Sequence, residues 1–138
     1  MIVINAKECI VGRVATVAAK QALLGETIAV VNCEQAVITG RKKYLLEEWK
    51  RKRDMGTWAT GPFYHRQPDR LFRRMIRGML SYKQEKGKNA YERIMCYLGI
   101  PEQFRNEKLE TVAGSHISKV PNLKYVTLQE IAKHLGAK

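Results

Sequence analysis

Two continuous apolar runs restrict this chain's fold more than any other feature. Ile2-Val3-Ile4 and Thr27-Ile-Ala-Val-Val31 are β-branched and lack the in–out alternation of a half-solvated strand. Between them, Gly12 to Leu24 is rich in alanine and repeats its apolar residues at helical spacing, with Val14, Val17, Ala18, Ala22 and Leu24 on one stripe. Gly25 follows as a C-terminal stop. Strands covered on both faces, joined through a helix, make a parallel βαβ unit with a right-handed crossover. The chain is therefore expected to be α/β. Further strands are expected at Ala36-Val37-Ile38 and Ile94–Tyr97, giving a parallel sheet of about four strands from 2–4, 28–31, 36–38 and 94–97. A helix follows from about Arg41 to Lys52, its apolar positions being Tyr44, Leu45 and Trp49 and its end, Lys50 to Arg53, projecting beyond the packed face.

A βαβ start invites a nucleotide-binding reading. The first strand-to-helix turn, NAKECIVGR, has one glycine and no GxGxxG, and GxxxxGK[ST] occurs nowhere. Gly12 reads as a packing glycine. Arg13 beside it has two open readings, a phosphate contact or a solvated side chain. At 138 residues the chain is expected to be a single domain, 1–138. No run of 18 apolar residues suggests a membrane span, and the N-terminus lacks the charged and apolar regions of a secretory signal. Cys9, Cys33 and Cys96 are odd in number and isolated, which fits a reducing cytosol. None is spaced with His65, His116 or His134 as zinc ligands are, so no metal or other cofactor is expected.

The net charge of +12 is concentrated. Residues 1–40 are neutral, with three basic and three acidic side chains. Arg41, Lys42, Lys43, Lys50, Arg51, Lys52 and Arg53 against Glu47 and Glu48 bring 41–53 to +5. Eight basic residues against Asp69 and Glu85 bring 66–88 to +6. Two positive blocks on a neutral body are the electrostatic footprint of a nucleic-acid-binding protein.

The second block contains the most telling helix, Asp69 to Leu80 (DRLFRRMIRGML). At 100° per residue, Leu71, Met75 and Met79 fall within roughly 80° of one another, and Phe72, Ile76 and Leu80 extend the same apolar half-circle. Arg70, Arg73, Arg74 and Arg77 occupy the opposite arc with no acid among them. Like charges at i,i+4 repel, so such a face implies a polyanion that neutralises it. Pro68 suits the first helical position and Asp69 the positive helix end. The preceding loop, TWATGPFYHRQP, interleaves aromatic and basic residues, a pattern that suits stacking on unpaired RNA bases. Tyr64, His65 and Arg66 are assigned to surface contact. Trp58 and Phe63 are expected to pack onto the core, with stacking as the alternative. After Leu80, the basic run SYKQEKGK is expected to end at Gly87, with a helical turn at Asn89–Arg93. Residues 102–122 read as polar and irregular, Lys124–Val126 as a short strand, and Thr127-Leu-Gln-Glu130 as a capping box opening a last helix. No nucleophile elbow, HExxH or acid/base pair appears, and the best near pair, His65 with Asp69, is a weak basis for chemistry.

These residues carry a resemblance. GRVATVAAKQALLG, VVNCEQAVITG, GPFYHRQPDR, RRMIRGML and GIP, in that order between Asn5 and Pro101, resemble the L-thirteen family of large-subunit ribosomal proteins, its archaeal and eukaryotic branch most of all. The resemblance implies a three-layer α/β/α fold with basic helical and loop extensions. It also implies a structural, non-enzymatic role in the cytoplasmic ribosome: binding large-subunit rRNA, supporting assembly and translation, and touching neighbouring large-subunit proteins. No small-molecule substrate is implied. By match to the family's pattern, rRNA contact falls on Arg66, Arg70, Arg73, Arg74 and Arg77, and beyond them on Lys83, Lys86 and Lys88. With the first block, the binding segments are 41–53 and 63–88. Ser81 stands where the family commonly has proline, and Lys86 where it often has arginine. The competing class is a nucleotide- or RNA-processing enzyme on a Rossmann-like scaffold, against which the missing phosphate loop and acid/base pair both count.

Overall fold

In a computed structural model, which describes residues 1–137, β1 (Ile2–Asn5) and β2 (Ile28–Val31) pair in parallel around α1 (Val11–Leu23). Val11, Val14, Ala15, Ala18, Ala19 and Ala22 form the buried stripe of α1, and small side chains there let the helix lie close to the sheet. Leu24, expected on that stripe, is exposed, because the helix stops before it and Gly25 turns the chain at φ 106°. The remaining elements are β3 (Val37–Thr39), α2 (Lys42–Asp54), α3 (Pro68–Arg77), α4 (Glu85–Glu92), β4 (Ile94–Cys96), β5 (Leu109–Glu110), β6 (Tyr125–Thr127) and α5 (Leu128–His134).

The main sheet has the order β4-β2-β1-β5, all parallel. The expected strand at 36–38 is not in it. β3 instead pairs antiparallel with β6 in a separate ribbon, Val37 opposite Thr127. Only residues 32–36 separate β2 from β3, whereas a parallel crossover needs a dozen or more residues. The fourth parallel strand is β5, two residues inside the segment read as irregular.

Strand alternation divides the core. Ile4, Ile28, Val30, Ile94 and Cys96 face α1, α3 and α5. Val3, Ala29 and Val31 face the other way, onto Phe104 from the 3-10 turn Glu102–Phe104 and the half-buried Tyr97 and Leu109. Tyr97 meets Phe104 edge to face at 5.4 Å between centroids. The sheet therefore lies between a thick helical layer and a second layer reduced to a single helical turn.

Two local expectations change. Gly87 does not end a segment: α4 runs through it, and it is buried against the preceding turn. A Cβ there would lie 2.1 Å from Ser81 O and 2.9 Å from Tyr82 N. Glycine is thus required for close approach rather than for a stop. Of the capping box, one half forms. Thr127 Oγ1 accepts from Glu130 N at 3.2 Å, while the Glu130 carboxylate accepts from Lys42 Nζ at 3.1 Å.

Helix α3 sets its inner face deep in the core, with Leu71, Phe72 and Ile76 fully buried and Leu80 beneath the turn that follows. Met75 is half-buried, and Met79 is exposed because the helix has ended at Arg77. Ile76→Ala should therefore cost about 2–5 kcal/mol, and Met79→Ala under about 1 kcal/mol, read as chemical-denaturation midpoints; equal shifts would contradict this packing. Gly87→Ala gains about 1 kcal/mol of helix propensity, yet should lower the melting temperature, since displacing the Ser81–Tyr82 backbone is an overpacking cost of about 1–3 kcal/mol.

Candidate nucleic-acid interface

The sequence places Pro68 at the start of α3, where its missing N–H costs nothing, and Asp69 in the positively polarised first turn. From there each buried residue of α3 fixes the direction of an arginine. With Phe72 and Ile76 inside, Arg70, Arg73, Arg74 and Arg77 must emerge on the opposite arc. Together with His65 and Tyr91 they line a concavity of about 310 Å³.

Three of these four guanidinium groups stand over a tyrosine. Arg73 lies 4.3 Å from the Tyr91 ring centre, Arg74 3.7 Å from Tyr64, and Arg77 5.0 Å from Tyr82. A cation over an aromatic face contributes about 0.5–1 kcal/mol, comparable with the few tenths lost per like-charge pair at i,i+3 or i,i+4, about 0.2–0.5 kcal/mol. The tyrosines thus offset the repulsion that an all-arginine arc would otherwise impose. Tyr91 and Tyr82 carry no sequence signal for this role, since Tyr82 meets α3 only through the turn that follows it and Tyr91 only after the chain has turned back through α4.

The arginines are not equivalent. Arg73 Nε donates to Ile94 O at 2.9 Å, and its Nη2 to Tyr91 O at 3.3 Å, tying α3 to the junction of α4 and β4. The helical projection groups Arg73 with the other cations of the arc; its bonds set it apart. Arg74 donates to Phe63 O at 2.8 Å and so holds the aromatic loop onto α3. Tyr64, beneath Arg74, also meets Trp49 of α2 edge to face at 6.2 Å. Arg70 and His65 are exposed, and Arg77 is half-exposed, which leaves these groups free to meet a ligand.

The first basic block lies along α2, which buries no residue completely; Leu45, Leu46 and Trp49 are its half-buried contacts with the core, and Tyr44 is exposed. Arg51 grips Glu48 through two bonds of 2.9 and 2.7 Å, and Lys52 approaches the same carboxylate at 3.5 Å. The Arg51 bond holds the Glu48 carboxyl down at about 2, so it stays ionised at any physiological pH. Lys52 also lies over Trp49 at 5.2 Å. Lys42 is engaged by Glu130. Arg41, Lys43 and Lys50 are exposed, as are Lys83, Lys86 and Lys88 on the turn after α3 and on α4.

The two blocks meet at the end of α5. Arg53 donates to Leu135 O, and Arg66 to Gly136 O at 3.4 Å. These carbonyls lie at the negative end of the helix, where cations are favoured. Two other arginines have similar structural duties. Arg93 donates to Ala22 O near the end of α1 at 3.2 Å, and Arg13, whose role was open, donates to Gly114 O. Trp58 and Phe63 do not join the core as expected: both are exposed, Trp58 at 92%.

Comparison with known proteins gives a consistent result. Residues 1–103 match the family model described as ribosomal protein L13. The chain is 45% identical over 136 residues to the large ribosomal subunit protein uL13 of Haloarcula marismortui, covering 99% of this chain and 91% of that one. It is 45% identical over 136 residues to the uL13 of Methanopyrus kandleri, covering 97% and 86% of the two chains. It is 41% identical over 138 residues to that of Methanococcoides burtonii, covering 100% and 99%. The chain belongs to the ribosomal protein L13 family.

Proposed function

We propose that this chain is a structural constituent of the large ribosomal subunit, binding large-subunit rRNA and catalysing no reaction, and that residues 1–138 act as one domain. Its place is the ribosome in the cytoplasm, with rRNA and neighbouring large-subunit proteins as partners. The observation that carries the rRNA contact is the concavity walled by Arg70, Arg73, Arg74 and Arg77. A guanidinium fork grips phosphate bidentately, which lysine cannot do, and several forks around one hollow suit a folded RNA backbone. Tyr64, His65 and Arg66 add to the basic surface from the loop before α3, and Lys83, Lys86 and Lys88 from the turn and helix after it. Along α2, Arg41, Lys42, Lys43, Lys50, Arg51, Lys52 and Arg53 supply a second line of positive charge. A-form RNA offers a deep, narrow major groove that side chains do not read, so recognition rests on backbone shape and unpaired bases rather than on a base-reading helix.

Sedimentation with large subunits in a sucrose gradient tests the assignment; a chain found only at the top of the gradient contradicts it. For rRNA fragments, log affinity should fall steeply with log salt, with a slope of about −4 to −5 if six phosphates are engaged; a flat response would exclude the charge as the binding device. The arginines should divide by role. Arg70→Ala with Arg77→Ala should leave the melting temperature in place, weaken rRNA binding by about 1–3 kcal/mol, and make the salt slope shallower by about 1–2. Arg73→Ala should lower the melting temperature through loss of its bonds to Ile94 O and Tyr91 O, a cost of about 1–3 kcal/mol. Arg73→Lys should not restore it, since an ammonium cannot span both carbonyls while stacking on Tyr91. An Arg73→Ala variant as stable as the parent would remove the division.

A further inference from the structure

The loop between α2 and α3 is a built turn, and the largest side chain it carries points away from the protein. Gly61 N donates to Thr57 O at 3.0 Å, and the hydroxyls of Thr57 and Thr60 bond to each other at 2.6 Å. Gly56, at φ 80°, allows the two limbs to cross: a Cβ there would lie 1.7 Å from Gly61 O. The far limb is fastened by Arg74 on Phe63 O and by Tyr64 wedged between Arg74 and Trp49. At the tip of this turn Trp58 is 92% exposed, and Phe63, on the far limb, is 64% exposed. An indole carried at the tip of a hydrogen-bonded turn and left in water has a π-face available to a ligand.

What can cover it is limited by its surroundings. The chain enters the loop from Lys50, Arg51, Lys52 and Arg53 and leaves it toward Arg66, Arg70 and Arg74, while Asp54 is the one acid between Arg53 and Arg66. A protein partner covering Trp58 would need apolar surface for the indole and a ring of acids placed to pair this cationic frame. An unpaired nucleotide has both required parts, a base to stack on the indole and phosphates to meet the arginines. We propose that Trp58 is a stacking platform for an unpaired base of rRNA, with Phe63 as a second aromatic contact, adjoining the arginine concavity. This rests on the rRNA-binding reading above and adds a recognition element that discriminates unpaired from paired RNA.

The test uses the full-length protein titrated with a single-stranded oligoadenylate of about 12 nucleotides and with an RNA duplex of the same length. The oligoadenylate should quench tryptophan emission. Trp58→Ala should remove most of that quench and weaken oligoadenylate binding by about tenfold. It should leave the salt slope and the duplex affinity unchanged, because no cation is lost. Trp58→Phe should retain most of the binding, since a ring remains. Oligoadenylate affinity unchanged in Trp58→Ala overturns the platform, and leaves the indole to a protein neighbour. An equal loss on duplex and single strand also overturns it, since stacking on an unpaired base would not act on paired RNA. A parent protein that binds neither RNA in a salt-dependent way is a different result, and defeats the rRNA-binding reading itself.

Discussion

The arginine arc depends on the burial of one side of α3. Phe72 and Ile76 are sealed in the core, and a helix so anchored can neither roll nor slide without exposing them. Burying side chains of this size removes about 1.5–3 kcal/mol each from the unfavourable side of folding. The few tenths lost to each arginine repulsion cannot compete. The hydrophobic term therefore dictates orientation, and charge density on the far side is tolerated. Tyr91, Tyr64 and Tyr82 lower that tolerated cost further, and each comes from a different neighbouring segment.

The same surface illustrates why charge alone is a poor guide to which residues meet a ligand. Arg73 and Arg77 lie one helical turn apart and look alike in projection. One is committed to carbonyls at the α4–β4 junction, and the other rests on a tyrosine ring that a ligand could share. Arg51 is occupied by Glu48, whereas Lys50 beside it is exposed. The positive potential extends over all of them. The groups free to form new hydrogen bonds are fewer.

What was legible in the sequence follows the range of the interactions involved. β1, α1 and β2 are readable because each is defined by its own run of apolar residues. The direction of α3 is readable because helical geometry converts spacing into faces. β3 is not placed by its own residues, because its partner β6 lies near residue 126 and no local pattern announces that pairing. β5 leaves no trace in the sequence, because two residues, Leu109 and Glu110, cannot display a period. Gly87 is ambiguous in the sequence because glycine serves both turns and close contacts, and only the Ser81 carbonyl beside it decides which. Trp58 and Phe63 look inward-facing because aromatic residues favour burial on average; the crossing at Gly56 and Gly61 carries their loop outward instead.

The junction at α5 has a consequence for timing. Arg53 and Arg66 belong to segments that leave the ribosome tunnel well before residues 128–136, whose carbonyls receive them. Until α5 docks, the two basic segments are joined by their loop and by Tyr64 between Trp49 and Arg74, and lack the common anchor at α5. Docking of the final helix supplies that anchor in one step. A polyanion met before that step encounters two cationic arms without their shared anchor; one met afterwards encounters both arms fastened to the same helix end. The relative placement of the two basic segments is thus completed late, by a helix that carries few of the charges it organises.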